Sequence, residues 1–413
     1  MIETNRVDTL EKQPPTTSWF PWLLVATLWV VVLLNYLDRQ VIFSVLPLLR
    51  SELNLSDKQL GLLSTVFLWV YGLLSPLSGY LADRFGRARI IIVSLLVWSL
   101  LTWLTGRARS FDELLMLRAL MGVSEACYIP AALALITDYH GQRSRSLANG
   151  IHNSGIYAGI ILGGTGGGWM GDHYGWRSAF ILLGIFGVAY SAVAVIVLRG
   201  KRGLSRAEST TLTELQFQTA VRELLALPGF KTILLAFGSL SIANWAIYTW
   251  LPLYFYERFH LSLTAAGFSA TFYIQAASIT GILSGGILAD RWSRVTNRAR
   301  LLAQTVGLAL AAPCLFLVGF LDSMPLLIAA LIIFGLGRGF YDCNTMPVLA
   351  QIARPDLRST GYGILNLIGT LAGGAIAAAA GILKNVIGLG EVFQLAAVLL
   401  LISTIMLMRL KPK

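Results

Sequence analysis

Apolar residues fill long unbroken runs along this chain, and polar residues gather in short stretches between them. The runs are continuous rather than alternating, which predicts helices and not the period-two strands of a membrane barrel. A helix needs about 20 apolar residues to cross a bilayer. The pattern predicts twelve such spans, at 19–49, 59–82, 89–107, 111–138, 147–171, 177–198, 231–257, 264–289, 300–321, 325–351, 360–386 and 391–409. The predicted architecture is an all-α membrane protein of twelve transmembrane helices.

The polar remainder divides the chain. Residues 1–18 read as a cytoplasmic tail, because no short apolar stretch there precedes a small-residue cleavage site. Residues 199–230 form the one long polar stretch and read as a cytoplasmic linker, partly helical. It separates a bundle at 19–198 from a bundle at 231–410, and 411–413 is a second short tail.

Composition agrees. Of 413 residues, 56% are hydrophobic and 13% charged, against about 25% charged in a soluble domain. The net charge of +11 could suggest nucleic acid. Its distribution excludes that reading. With the N-terminus inside, 22 of the 32 lysines and arginines fall on inner segments, 7 on outer ones and 3 within spans. That bias is an insertion signal with contacts to anionic lipids. It predicts both termini in the cytoplasm and a place in the plasma (inner) membrane.

The two bundles repeat one another. "GYLADRFGRAR" at 79–89 answers "GGILADRWSRVTNRAR" at 285–300. "NLSDKQLG" at 54–61 answers "HLSLTAAG" at 260–267, and "NGIHNSG" at 149–155 answers "YGILNLIG" at 362–369. Three ordered matches are an internal repeat. Two pseudo-symmetric six-helix bundles with a midplane site between them form a transporter plan.

The loop after the second span, Gly79, Leu81, Ala82, Asp83, Arg84, Gly86 and Arg87, resembles the G-x-L-A-D-R-x-G-R signature of the major facilitator superfamily. A degraded copy follows the eighth span, and the resemblance covers residues 19–410. "NYLDR" in the first span and "RALMGVSEACYIPAALALITDY" in the fourth are most similar to the spinster-like branch, which includes lysolipid exporters. The anion:cation symporter branch, carriers of sugar acids, shares a similar first-span motif and an R-x-x-x-G-x-x-E-A pattern. The resemblance implies that Asp38, Arg118 and Glu125 serve coupling, and that the protein is a monomer.

Charges inside the spans sharpen the reading. Each costs roughly 2.5–3.5 kcal/mol or more at the bilayer centre, so it persists only beside a partner or a watered cavity. The set is Asp38, Arg39, Arg118, Glu125, Arg338 and Asp342. Arg118 and Glu125 share a helix face, and Arg338 and Asp342 stand one turn apart. Glu125 and Asp342 are repeat mates, each five residues before a proline, Pro130 and Pro347. Asp38 lies roughly 28 Å along an outward helix and Arg118 roughly 10 Å from an outer end, so they are expected to pair in at least one state. The bland alternative makes all six a set of fixed structural pairs. The functional one gives the carboxylates Asp38, Glu125 and Asp342 protons to carry, and Arg39, Arg118 and Arg338 an anion to hold. Arg39 is the leading anion contact, and Asn244, Tyr248, Trp250, Tyr273 and Gln275 are secondary candidates.

Small residues mark close helix approach. Gly155, Gly159, Gly163, Gly167 and Gly171 form a ridge at spacing four, and Gly369, Gly373, Ala377 and Gly381, Gly281 and Gly285, and Gly72, Ser75 and Gly79 echo it. The resemblance makes these helices the moving interface. Gating residues are expected at Gly79, Asp83, Arg84, Arg87, Asp290 and Arg291. Repeat symmetry puts Asp83 at the helix start near 359–361 and Asp290 at the one near 144–147, where a carboxylate is stabilised, only while the inner side is closed.

An enzyme is disfavoured. The four histidines make no metal or triad spacing, and "GGTGGGWMG" lacks the G-K-[ST] end of a phosphate loop. Cys127, Cys314 and Cys343 sit in apolar spans without C-x-x-C spacing. The expected function is secondary transport of an organic anion or lysolipid-like amphiphile by alternating access, coupled to protons, without cofactor or metal. A sugar-acid:proton symporter is the alternative, and a non-transporting sensor or membrane enzyme are the weaker readings.

Overall fold

The computed structural model describes residues 19–140, 144–199, 217–354 and 357–410. Both terminal tails and most of the linker lie outside the described residues. Within them there are sixteen helices and no strand. They are α1 (Phe20–Ser44), α2 (Leu46–Leu53), α3 (Asp57–Phe85), α4 (Arg87–Thr105), α5 (Phe111–Ala126), α6 (Tyr128–Tyr139), α7 (Arg145–Tyr174) and α8 (Trp176–Arg199). The linker contributes α9 (Phe217–Ala226). Then come α10 (Phe230–Phe259), α11 (Leu263–Trp292), α12 (Ala299–Val318), α13 (Met324–Asp342), α14 (Thr345–Ile352), α15 (Arg358–Leu383) and α16 (Leu389–Arg409).

Sixteen helices arise from twelve expected spans because prolines divide three of them, and α9 is extra. A proline ring clashes with the carbonyl four residues before it. Pro47, Pro130 and Pro347 act on positions 43, 126 and 343, and the chain breaks at Val45, Cys127 and Cys343 to Asn344. Glu125 and Asp342 therefore occupy the last turn before a break, which fixes where each carboxylate points. Among the described residues, ten spans are long and apolar enough to cross a membrane by length and composition. The other two long helices, α3 and α7, have 29 and 30 residues and carry the main contacts between the leading and trailing helices.

The repeat shows in local geometry. Asn54 and His260 are the two non-glycine residues with positive φ among those described, at 50° and 52°. Two residues later, Ser56 and Ser262 each cap a helix start, accepting from Gln59 N at 3.3 Å and Ala265 N at 3.2 Å. Left-handed residues and serine caps stop one helix and start the next. Packing repeats too: α1 against α7 matches α10 against α15, α4 against α8 matches α12 against α16, and α3 against α5 matches α11 against α13.

The leading helices α1–α8 and trailing helices α10–α16 meet mainly along α3 with α15 and α7 with α11. These contacts concentrate towards one end. On α3 and α15 they run from Asp57 beside Gly381 to Gly72 beside Thr370. On α7 and α11 they run from Gly164 beside Thr271 to Asp172 beside Leu263. We term this the tight end. Towards the opposite end, Gly150, Gly286 and Gly363 face open space, and Leu73, Leu77, Leu283 and Ile287 are exposed.

The expected glycine ridge takes a different role. Gly155, Gly159, Gly163 and Gly167 of α7 pack against Trp29 to Val41 of α1, inside the leading group. Gly164 and Gly168, one residue further round at about 100° per residue, meet α11 instead. Likewise Gly369 and Gly373 face α10, and Gly281 and Gly285 face α13, while Gly72, Gly374 and Gly381 do meet across the groups.

Candidate functional site

Helix α1 carries Asn35, Asp38 and Arg39, all buried. Arg39 donates from Nε to Glu125 Oε2 at 2.5 Å, so the leading-group acid and base pair across α1 and α5. The guanidinium lies over three rings, Tyr36 at 4.8 Å, Phe67 at 5.1 Å and Tyr71 at 4.5 Å. Aromatic faces attract cations most where water is excluded. The side chains of Arg39 and Glu125 are 7% and 0% exposed, so this pair is sealed.

Asp38 and Arg118 form no ion pair in this structure. Asp38 Oδ2 accepts from Thr102 Oγ1 at 3.1 Å, and Oδ1 has no partner among the described residues. Arg118 donates from Nε to the Leu63 carbonyl at 3.4 Å and stacks over Phe67 at 4.6 Å, with one terminal nitrogen unpartnered. Phe67 thus has two guanidiniums near its ring. Arg118 remains within electrostatic reach of Glu125, Arg39 and Asp38. The cluster holds two cations and two carboxylates but forms one ion pair.

The trailing group builds a second pair. Arg338 donates from Nε to Asp342 Oδ2 at 3.2 Å along α13. Its Nη1 reaches Gln275 Oε1 at 3.5 Å, and Gln275 Nε2 donates to the Tyr248 hydroxyl at 3.2 Å. The guanidinium lies 5.4 Å from the Tyr248 ring centre. Arg338 and Asp342 side chains are 10% and 31% exposed, so this pair is the more open one. Tyr157 of α7 approaches from the leading group, within electrostatic reach of Arg338, Asp342, Tyr248 and Tyr36.

Of the secondary candidates, Tyr248 and Gln275 join this site. Asn244 is half-buried on the same helix as Tyr248, with its carbonyl oxygen unpartnered. Tyr273 packs with Phe268 and Phe272, in an aromatic cluster with no hydrogen bond to Arg338. Trp250 is fully buried and donates to the Ala377 carbonyl at 3.1 Å, a packing role. The sequence reading missed Tyr36, Phe67, Tyr71, Thr102 and Tyr157. Tyr36 and Tyr71 could have been singled out as polar-tipped aromatics inside apolar spans, but Phe67 carries no signal that separates it from packing.

The gating candidates are dispersed. Asp290 pairs with Arg300 at 3.4 Å, beside its own helix end and not at the start of α7. Arg87 pairs with Asp138 at 2.5 Å, Arg84 lies over the Phe85 ring, and Arg291 is exposed. The surroundings of Gly79 and the contact expected between Asp83 and residues 359–361 lie outside the described residues.

The tight end has its own chemistry. Asp172 of α7 accepts from Leu263 N at 3.1 Å, Thr264 N at 2.8 Å and Thr264 Oγ1 at 2.6 Å, capping α11 from the other group. Arg50 pairs with Asp57 and, at 2.7 Å, with Glu257, while Lys384 reaches Glu257 at 2.7 Å and Asp57 at 3.3 Å. Two charges from each group close one ring. Hydroxyls also cross, Ser64 to Thr249 at 3.2 Å and Thr65 to the Gly374 carbonyl at 2.7 Å.

Comparison with known proteins agrees with this arrangement. Protein spinster homolog 1 of Xenopus laevis is 28% identical over 381 residues, covering 86% of this chain and 70% of that protein. The probable galactarate/D-glucarate transporter GarP of Escherichia coli is 24% identical, covering 85% of each chain. The probable sulfoacetate transporter SauU of Cupriavidus necator is 25% identical, covering 84% of this chain and 85% of that one. Among solved structures, a bacterial homolog of the human lysosomal transporter Spinster, inward-facing and unoccupied, superposes with a TM-score of 0.81 at 22% identity, over 94% of this chain and 96% of that one. At that identity the likeness speaks for the fold. The profile of the Major Facilitator Superfamily matches residues 28–378, and the chain is a transporter that belongs to this superfamily.

Proposed function

We propose that the protein moves an organic anion across the plasma (inner) membrane by alternating access, coupled to protons at its buried carboxylates. The observation that carries this reading is the unequal cluster of Arg39, Arg118, Asp38 and Glu125, which holds one formed ion pair, Arg39 with Glu125. Burying charge is costly enough that a half-paired set implies a second arrangement. A proton on Glu125 weakens its hold on Arg39. The guanidinium, always charged, is then released towards Asp38 or an anion. The lysine and arginine bias supports placing the tight end outside and both chain ends in the cytoplasm. On that reading the structure is inward-facing.

Two substrate classes have support. The spinster relatives favour an anionic, lysolipid-like amphiphile. The galactarate/D-glucarate and sulfoacetate relatives favour a small polar anion, and the amide and hydroxyls of Gln275 and Tyr248 beside Arg338 suit one. The test is uptake into proteoliposomes under an imposed pH gradient, with labelled D-glucarate, sulfoacetate and lysophosphatidylglycerol in parallel. Accumulation that follows the proton gradient is expected for one of them. Uptake that equilibrates identically with and without the gradient would remove proton coupling and leave facilitated anion transport.

A further inference from the structure

We propose that the substrate's anionic group binds Arg338, by replacing Asp342 on its guanidinium, and that the preferred group is a carboxylate. This rests on the reading of the protein as an anion transporter. The two arginine–carboxylate pairs differ in the property that matters for a ligand. Arg39 is enclosed by three rings and gripped by a fully buried acid, so no incoming anion can reach it while Glu125 holds it. Arg338 is held through Nε at 3.2 Å by an acid that is itself 31% exposed. Its Nη2 has no partner among the described residues and, unlike Arg39 Nη2, is not fully buried.

The geometry of the resident pair explains why it can be displaced. Asp342 stands four residues along the same helix and offers one oxygen to one nitrogen. A guanidinium presents parallel N–H groups that match both oxygens of a carboxylate at once. An incoming carboxylate can take two such bonds where Asp342 takes one. Gln275 accepts from Arg338 Nη1 at 3.5 Å and holds Tyr248 at 3.2 Å, which restrains the guanidinium on its Nη1 side. Tyr157 of α7 lies within electrostatic reach of Arg338 and Asp342, so the leading group borders the same site. Asp342 acts as an internal stand-in for the ligand, and its chemistry names the ligand's class.

The experiment is equilibrium binding and ligand-induced thermal stabilisation of the full-length purified protein at one pH. The probes are D-glucarate, sulfoacetate and lysophosphatidylglycerol. Arg338→Ala is expected to weaken D-glucarate binding by about 10- to 100-fold, the loss of charged hydrogen bonds. Arg338→Lys should recover little of it, because an ammonium cannot form the paired contact. Asp342→Asn should bind D-glucarate more tightly than wild type, because the internal competitor loses its charge. Should Arg338→Ala fail to fold, Asp342→Asn decides: weaker binding there overturns the displacement. Unchanged binding in Arg338→Ala, with loss in Arg39→Ala, overturns the site while leaving anion transport intact. The same variant order for lysophosphatidylglycerol alone, which carries a phosphate and no carboxylate, overturns the carboxylate preference. A wild-type protein that binds none of the three overturns the anion-transporter reading itself.

Discussion

Arg39 shows how far a single residue's role depends on its neighbours. The sequence places it beside Asp38 in an apolar span and makes it the natural anion contact. Folding gives it to Glu125, 86 positions away, and encloses it in rings from α1 and α3. The adjacent acid was legible as adjacent, but residues one apart on a helix point about 100° apart, and the partner had to come from another element. Removing one member of a buried pair strands the other, at a cost of about 3–5 kcal/mol. Glu125→Ala should therefore lower the thermal unfolding temperature markedly, and Glu125→Gln much less, since the amide still accepts from Arg39. Both should lose the dependence of uptake on a proton gradient. A Glu125→Gln protein that still concentrates substrate against that gradient would move the proton to Asp38.

At the scale of elements, glycine spacing was legible and its facing was not. A repeat at spacing four declares that some helix comes close, without declaring which one. The structure separates two ridges on α7 that differ by one residue, and they should respond differently to the same substitution. An added Cβ at Gly159 would lie 2.5 Å from the Leu33 carbonyl within the leading group, and one at Gly168 2.3 Å from the Leu263 carbonyl across to α11. Overpacking costs about 1–3 kcal/mol. Gly159→Ala can only absorb this as lost stability, read as a lower unfolding temperature. Gly168→Ala can relieve it by parting α7 from α11, so it should shift the balance towards an open tight end. Distances between spin labels on α7 and α11 would report that shift. Asp172→Asn should act in the same direction, by about 0.5–2 kcal/mol, as an impaired helix cap does. The proline breaks were not legible as breaks, because hydrophobicity runs on unbroken through them. Two were noted in the sequence as a shared spacing after Glu125 and Asp342, and the structure shows that spacing ending two helices at equivalent places.

Across the whole molecule, the class of fold could be read from hydrophobic run length, and the duplication from three short matches, because both are local properties of the chain. The tight-end network could not. Arg50, Asp57, Glu257 and Lys384 are scattered over 335 residues, and nothing in their spacing brings them together. Their side chains are 10–33% exposed, so each contact is worth under about 1 kcal/mol and weakens with salt. Lys384→Gln, or raised salt on the side that the tight end faces, should favour opening modestly, measured by the reactivity of a cysteine placed at Ser64. A cysteine there that reacts no faster in the variant would assign closure to the helix contacts alone. The same helix that closes this end also holds Phe67, whose ring lies within reach of both Arg39 and Arg118. Thr65 and Trp69, two residues to either side, grip α15 through the carbonyls of Gly374 and Leu371. Because α3 is one continuous helix, these side chains travel as a unit. When the end opens, α3 parts from α15, while Phe67 stays with Arg39 and Arg118 in the leading group. An opening of that kind would carry the leading charges as one body, so their regrouping would have to come from a proton or an anion and not from the motion itself.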